Sequence, residues 1–375
     1  MNILCKIFLF LYSIILILFN NSCKLFWPDD EPEEPITQRI AFLRDRNPDN
    51  ALYNDNDLWI MDIDGSNQTQ LTFGIDNIDD FVFSPSGDKI CFTTFSNNTY
   101  SKSDVLIINT DGTELINLTN GDGYNHSPFF SDDEKFIVYT SASDRYNNDD
   151  LDIFFMKIDG KSKTNITNTD TIHEGALLSI PNTDNILISA VAVSFPEPDI
   201  DNHLYTINFE GGNKTCITCQ YPDLQPRLVR ITNNGNSIIF MGAPTWNGSE
   251  NRVPFYSMDL DGSNLKQIWE GHIWGTYLDI IHAPNNEYMI IIYYKSYDDI
   301  DCYKVDIDGS NTVNITETTG ITHIKDISHD GELMFYDKVI DNRTEIYSCN
   351  KYGENQQRLT TLGGTNPKIS PITNT

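Results

Sequence analysis

Basic residues are scarce in this chain. Its 375 residues hold 25 Lys and Arg against 54 Asp and Glu, a formal charge of −29. A surface this acidic repels phosphate backbones and anionic headgroups, which argues against nucleic-acid binding. It suits a soluble domain in an extracytoplasmic space, or one whose partner is cationic. Strong helical periodicity is absent after residue 35, which argues against an amphipathic bundle. No Gly-x-Ser-x-Gly occurs, so the nucleophile elbow of an α/β hydrolase is missing. Cysteine is sparse, and Cys216-x-x-Cys219 has no partner pair, which leaves zinc-ribbon chemistry weakly supported. The one long apolar run, Ile7 to Phe19, falls short of the roughly 20 residues of a membrane span.

That run belongs to the front end. Lys6 supplies a thin positive region before it, and Asn20-Asn21-Ser22 leads from it to Cys23. The arrangement resembles a bacterial lipoprotein signal, in which the Cys is lipidated and becomes the new N-terminus. Asn20 stands where that pattern usually has Leu, so the motif is a relaxed one; a plain secretory signal or an uncleaved anchor is the alternative. Residues 1–22 are therefore expected to be a signal peptide. Residues 23–36 form an acidic, Pro-rich tether, extended and solvated by its carboxylates and prolines. The acidic run after Cys23 also resembles the export signals of surface lipoproteins. The expected location is the cell envelope, lipid-anchored at the outer membrane and facing the periplasm or the exterior.

The remainder, 37–375, is one unit repeated. The Gly of an Asp-Gly type of turn recurs as Gly65, Gly112, Gly160, Gly211, Gly262, Gly309 and Gly353. The spacing is that of propeller blades. An alternating strand precedes each, from LWIMDID to IYSCNKY, as a pleated sheet requires. A polar stretch follows and closes on Leu-Thr or Ile-Thr, as at Leu71-Thr72, Leu118-Thr119 and Ile166-Thr167; the fifth repeat departs with Ile268-Trp269. Two further strands flank a Ser-Pro-x-Gly type of turn, as in FVFSPSGDKICFTT. The seventh repeat stops at PKISP, before its fourth strand, and RIAFLR at Arg39 to Arg44 supplies the missing one. The expectation is an all-β, seven-bladed β-propeller closed by pairing of the N-terminal strand with the C-terminal strand in one blade.

The signature LWIMDIDGSNQTQLT…FSPSGDKICFTT resembles the WD40-like PD40 repeats of TolB-like propellers, over nearly all of 37–371. That resemblance implies a platform that receives peptide segments at its channel mouth. It differs from TolB in having only a tether where TolB carries an α/β domain. The same repeat occurs in prolyl-oligopeptidase-type peptidases, but no hydrolase domain accompanies it here.

Candidate chemistry is modest. The Asp-x-Asp-Gly-Ser-Asn loops at Asp62–Asn67, Asp259–Asn264 and Asp306–Asn311 hold oxygens that suit Ca2+, yet lack later ligands and sit where tight turns are needed. A second acidic set precedes the same strands: Asp55, Asp57, Asp149, Asp150, Asp152, Asp199, Asp201, Asp298, Asp299 and Asp301. It serves either solubility, or a negative patch for a cationic partner or for Ca2+ held between loops. His126, His173 and His323 fall just before inner strands, with Asp79, Asp80 and Glu174 in comparable places. These six make the candidate partner-binding mouth. Resemblance to oligogalacturonate lyases, propellers that hold a metal with mouth histidines, makes His126, His173 and His323 an alternative metal set in a carbohydrate-active enzyme. Cys91, Cys302 and Cys349 read as core residues, and the Cys216/Cys219 pair as a local disulfide, a zinc pair or a redox pair. The leading expectation is a non-enzymatic, monomeric, lipid-anchored platform for an envelope protein or peptide segment, with no cofactor and Ca2+ as the one ion its acidic loops suit.

Overall fold

The computed structural model describes residues 38–46, 56–75, 77–95, 101–121, 123–143, 151–168, 172–192, 202–243, 245–247, 250–272, 277–296 and 299–372. The expected signal, tether and Cys23 lie outside them, as do Asp55, Asp149, Asp150, Asp199, Asp201 and Asp298. Among the described residues, strands form seven consecutive antiparallel sets.

Set 1 has the order Thr365–Ile369, Arg39–Asp45, Asn56–Asp62, Thr69–Gln70, so the last strand of the chain lies beside the first. The register places Ile40 opposite Ile369 and Ala41 opposite Lys368. This is the pairing that RIAFLR and PKISP were expected to make. Each later set runs in chain order from an inner strand to an outer one, which is two residues long except in set 5. Set 2 is Ile78–Phe83, Lys89–Phe95, Ser103–Asn109, Ile116–Asn117. Set 3 is Tyr124–Phe130, Phe136–Ala142, Asp152–Lys157, Thr164–Asn165. One parallel bridge, Ser103 to Tyr124, joins these two into an eight-stranded sheet. Set 4 is Ile172–Ser179, Asn185–Ala192, Asn202–Asn208, Thr215–Cys216. Set 5 is Arg227–Ile231, Ser237–Met241, Glu250–Asp259, Lys266–His272, with Thr245–Asn247 added beside Glu250–Asp259. Set 6 is Tyr277–His282, Tyr288–Ser296, Asp299–Asp306, Val313–Asn314. Set 7 is Ile324–Ile327, Leu333–Ile340, Arg343–Asn350, Gln357–Arg358.

Sequence dictates this layering. The second strands carry apolar runs such as Lys89–Phe95 and Tyr288–Ser296, and the first of these is buried across four consecutive residues. A run that is apolar on both pleat faces must be covered on both. The core therefore divides into clusters between consecutive sets. Ala41, Leu58 and Ile60 of set 1 meet Phe81 and Phe92 of set 2. The series ends where Phe335, Ile346 and Leu359 of set 7 meet Ile40, Phe42 and Met61 of set 1. Burying a side chain such as Phe42 fully stabilises by about 1.5–3 kcal/mol.

The turns reinforce the same neighbours. Gly65 has φ +88°, and a Cβ there would meet the Leu359 carbonyl oxygen at 2.9 Å. Only glycine accepts both that backbone conformation and so close an approach. Gly211 is seated likewise on Ile166, and Gly262 on Ile217. Each such turn sits on the Leu-Thr or Ile-Thr pair of the preceding set. Among the described residues one α-helix, Ile315–Thr319, interrupts the strands, besides a 3-10 turn at Pro222–Leu224; the Asn314 side chain accepts from the Glu317 amide at its start, and Gly320 ends it with φ 72°. Among the described residues no helix is long and apolar enough to cross a membrane.

Candidate functional site

Antiparallel order puts the start of every inner strand and the start of every third strand at the same end of its set. Two groups of polar residues gather there, one on the inner strands and one on the third and outer strands. The Asp-Gly turns lie at the opposite end.

On the inner strands, the structure places Asp79 exposed and Asp80 half-buried. Lys368, on the last strand of the chain, donates to Asp80 Oδ1 and to the Phe81 carbonyl, both at 2.6 Å. The chain end is thereby tied to the inner strand of set 2. The Ile369 amide donates to Asp326 of set 7 at 2.7 Å. Burial pushes the Asp326 carboxyl up to about 6, against the pull of the Ile369 and Ile327 amides and Lys368. His126 is half-buried, with Nδ1 3.1 Å from Ser127 Oγ and its ring 4.9 Å from that of Tyr124. His323 is half-buried too, with Nδ1 2.7 Å from Thr322 Oγ1 and its ring edge-on to Tyr294. Burial lowers both imidazoles below their ordinary value, favouring the neutral form. His173 and Glu174 lie on the inner strand of set 4, opposite Val191 and Ala190; their side chains fall outside the described residues.

His323 opens onto a cavity of about 360 Å3 lined also by Tyr336, Asp337, Lys338, Val339 and Thr365. Asp337 accepts from Thr365 Oγ1 at 2.8 Å and from the Asn366 amide at 3.2 Å. Burial is the largest influence on its carboxyl and raises its pKa. His282 stands at the other end of its inner strand, with Nε2 buried and unpartnered. Burial and the nearby Arg230 push it down to about 4, so it is neutral at pH 7.

The second group is a repeated clamp. In set 1 the Thr72 hydroxyl accepts from the Leu58 amide at 2.9 Å and donates to Asp57 at 3.3 Å. Gln70 adds a donor to Asp57 at 2.9 Å, and so does the Gly74 amide. Set 2 builds the same clamp from Asp104, Thr119 and Asn117, and set 3 from Asp152, Thr167 and Asn165. Set 7 uses Glu345, Thr360 and Arg358. Asp57 and Glu345 are almost wholly buried. Asp57 and Asp152 of the acidic set are therefore engaged inside the fold; Asp104 and Glu345 play the same part and were missed. A constant spacing was the available signal, since acid and threonine are always 15 residues apart.

Set 4 departs at three positions together. His203 replaces the acid, with Nδ1 3.2 Å from Thr218 Oγ1, again 15 residues away. Cys216 replaces Asn165, and Cys219 replaces Asn168 of set 3. Cys216 and Cys219 form a disulfide. Cys91, Cys302 and Cys349 are free and buried, with thiols pushed up by burial.

At the opposite end, the Asp-x-Asp-Gly carboxylates are used by their own turns. Asp62 accepts from Asn67 Nδ2 at 2.6 Å, Asp259 from Asn264 at 2.8 Å, and Asp306 from Asn311 at 2.7 Å. The Ser66, Ser263 and Ser310 amides donate to Asp64, Asp261 and Asp308. These serines hold the three carboxyls below their ordinary range. Among the described residues, the one group of three side chains placed to share a metal is His203, Cys216 and Cys219; neither His126 nor His323 joins one.

The family model described as TolB beta propeller domain matches residues 35–299. No curated protein matches the chain. Among solved structures, TolB from Acinetobacter baumannii is 14% identical, with a TM-score of 0.51 over 88% of this chain and 82% of that one. An oligogalacturonate lyase in complex with manganese is 11% identical, with a TM-score of 0.61 over 79% and 82%. The β-propeller domain of the Trilobed protease from Pyrococcus furiosus is 12% identical, with a TM-score of 0.56 over 86% and 92%. At these identities the likeness is one of fold.

Proposed function

We propose, from the premise that this chain belongs to the TolB beta propeller domain family, that it is a non-enzymatic binding platform of the cell envelope. Its propeller has seven blades, with set 1 as the blade shared by both chain ends. The Ile40–Ile369 pairing, the Lys368–Asp80 link and the cluster between sets 7 and 1 support that closure. The platform is held at the outer membrane through Cys23 and takes a segment of a partner protein at the mouth where the inner strands begin.

One observation carries the binding reading. The cavity beside His323 combines an apolar wall of Val339 and Tyr336 with polar groups at Asp337, Lys338 and Thr365. That mixture fits a peptide segment, whose backbone needs hydrogen-bond partners and whose side chains need apolar contact. Asp79, Asp80 and His126 extend the polar rim along the same end, with His173 and Glu174 as its candidate members on set 4. The net charge of −29 favours a cationic segment over an anionic sugar polymer.

The test is capture of envelope proteins by the full chain, compared with the Asp79→Ala, His126→Ala, Glu174→Ala, His323→Ala combination. A partner held by the native chain and lost by the variant is the expected result. Equal capture by both removes this face from consideration.

A further inference from the structure

We propose that His203, Cys216 and Cys219 form a redox-gated site for a soft or borderline transition-metal ion, closed by the disulfide and opened by its reduction. Neither the platform reading nor the mouth residues enter this inference. Where set 3 has Asp152, Asn165 and Asn168, set 4 has His203, Cys216 and Cys219. Each replacement exchanges a hydrogen-bonding group for a nitrogen or sulfur ligand, and all three fall in one clamp.

Geometry makes the exchange meaningful. One ligand atom from each of the three residues lies within 4.8 Å of the others. A tetrahedral zinc ion with arms of about 2.0–2.3 Å separates its ligands by roughly 3.5–3.8 Å. Short side-chain adjustments close that gap once the sulfurs part. The Thr218 hydroxyl beside His203 Nδ1, at 3.2 Å, also receives the Leu204 amide and so fixes the imidazole's place. The Cys219 amide points at Cys216 Sγ from 3.0 Å, a donor well placed for a thiolate. Cys219 is exposed and Cys216 and His203 are half-buried, so reductant and metal both have access. Three protein ligands leave a fourth position open.

The gate is ordinary thiol–disulfide exchange. A small dithiol attacks one sulfur through its thiolate, the Cys216–Cys219 bond breaks, and a mixed disulfide forms. The reductant's second thiolate displaces the remaining cysteine. Two electrons and two protons pass from the dithiol to the protein, and the reductant leaves as its own disulfide. Zn2+ then displaces the two thiol protons to solvent as it binds both sulfurs.

The experiment uses the full chain, reduced with a dithiol and freed of it without air, and titrated with Zn2+ by calorimetry. Co2+ is added in parallel for its thiolate charge-transfer absorption. The Cys216→Ser/Cys219→Ser variant, treated identically, removes the contribution of cysteines elsewhere. The expected result is one additional Zn2+ per reduced native chain, none for the oxidised chain, and thiolate bands with Co2+. His203→Ala should weaken that binding by at least roughly a hundredfold, the upper end of what loss of an outer-shell partner costs, while leaving the disulfide intact. Equal uptake by reduced native and double-serine chains overturns the site. An unchanged affinity in His203→Ala overturns the three-ligand assignment.

Discussion

The clamps of sets 3 and 4 occupy the same place in the same fold and have opposite chemistry. In set 3, Asp152 accepts from Thr167 at 3.0 Å and from Asn165 at 2.7 Å, a carboxylate held by two side-chain donors. In set 4, a ring nitrogen faces the threonine and a disulfide stands where the two asparagines were. The shared part is the threonine, which accepts from the third strand's amide in both, each at 3.0 Å. The threonine is thus the architectural element, and the acid is a separable one. Removing the acid from all four of these clamps at once would leave their donors unsatisfied, but one clamp can exchange it for another function.

The largest effect should come from breaking a charged clamp. Glu345 is 1% exposed and accepts from Thr360 Oγ1, Arg358 and the Gly363 amide. Glu345→Ala strands all three donors and should cost about 3 kcal/mol or more. His203→Ala, in the oxidised metal-free chain, should cost under about 1 kcal/mol. Denaturant midpoints compare the two directly. Equal losses would mean that the acid and the histidine do the same structural work.

A second, smaller effect separates the disulfide from the clamp. The His203→Asp/Cys216→Asn/Cys219→Asn variant rebuilds the set 3 clamp in set 4. It should exceed the reduced native chain in stability by about 1–2 kcal/mol, since a charge-assisted pair replaces a neutral one. Against the oxidised chain the gain should vanish, because closing so short a loop is worth about 2 kcal/mol in the chain-entropy account. Its midpoint should not move on adding dithiol. A variant less stable than the reduced native chain would show that set 4 has adapted its packing to histidine.

Much of the fold was legible because glycine and threonine repeat. Gly65, Gly112, Gly160 and their fellows mark turns that only glycine tolerates, and the pairing of Arg39–Asp45 with Thr365–Ile369 followed from counting strands. Burial of the second strands was readable in apolar runs such as Tyr288–Ser296. The site was less legible, because side chains from distant positions meet only in space. Asp79, His126 and His323 could be assigned to one end from their place before inner strands. That Asp337 would line the cavity beside His323 could not, since it lies on a second strand. The acidic residues misled most. Composition treats every carboxylate as surface charge, yet Asp57 is fully buried. Lys368, the link from the last strand to Asp80, gave no signal at all beyond its position in PKISP.

The smallest expected difference tests the threonine itself. Thr119 and Thr218 are both almost wholly buried, and each caps the third strand of its set, at Val105 and Leu204. Thr119 also donates to the carboxylate of Asp104 at 2.8 Å, whereas Thr218 faces His203. Valine keeps the shape and removes both bonds, so the two substitutions share the cost of an uncapped amide. Thr119→Val carries a further loss, the charge-assisted bond to Asp104. Thermal midpoints should therefore fall in both, and further for Thr119→Val by the equivalent of about 1 kcal/mol. If Thr218→Val costs as much as Thr119→Val, then His203 takes the threonine proton as strongly as a carboxylate does. The departure of set 4 would then keep the clamp in the metal-free chain, with the proton on Nε2, and a metal at Nε2 would require the other tautomer, in which Nδ1 donates to the Thr218 hydroxyl oxygen.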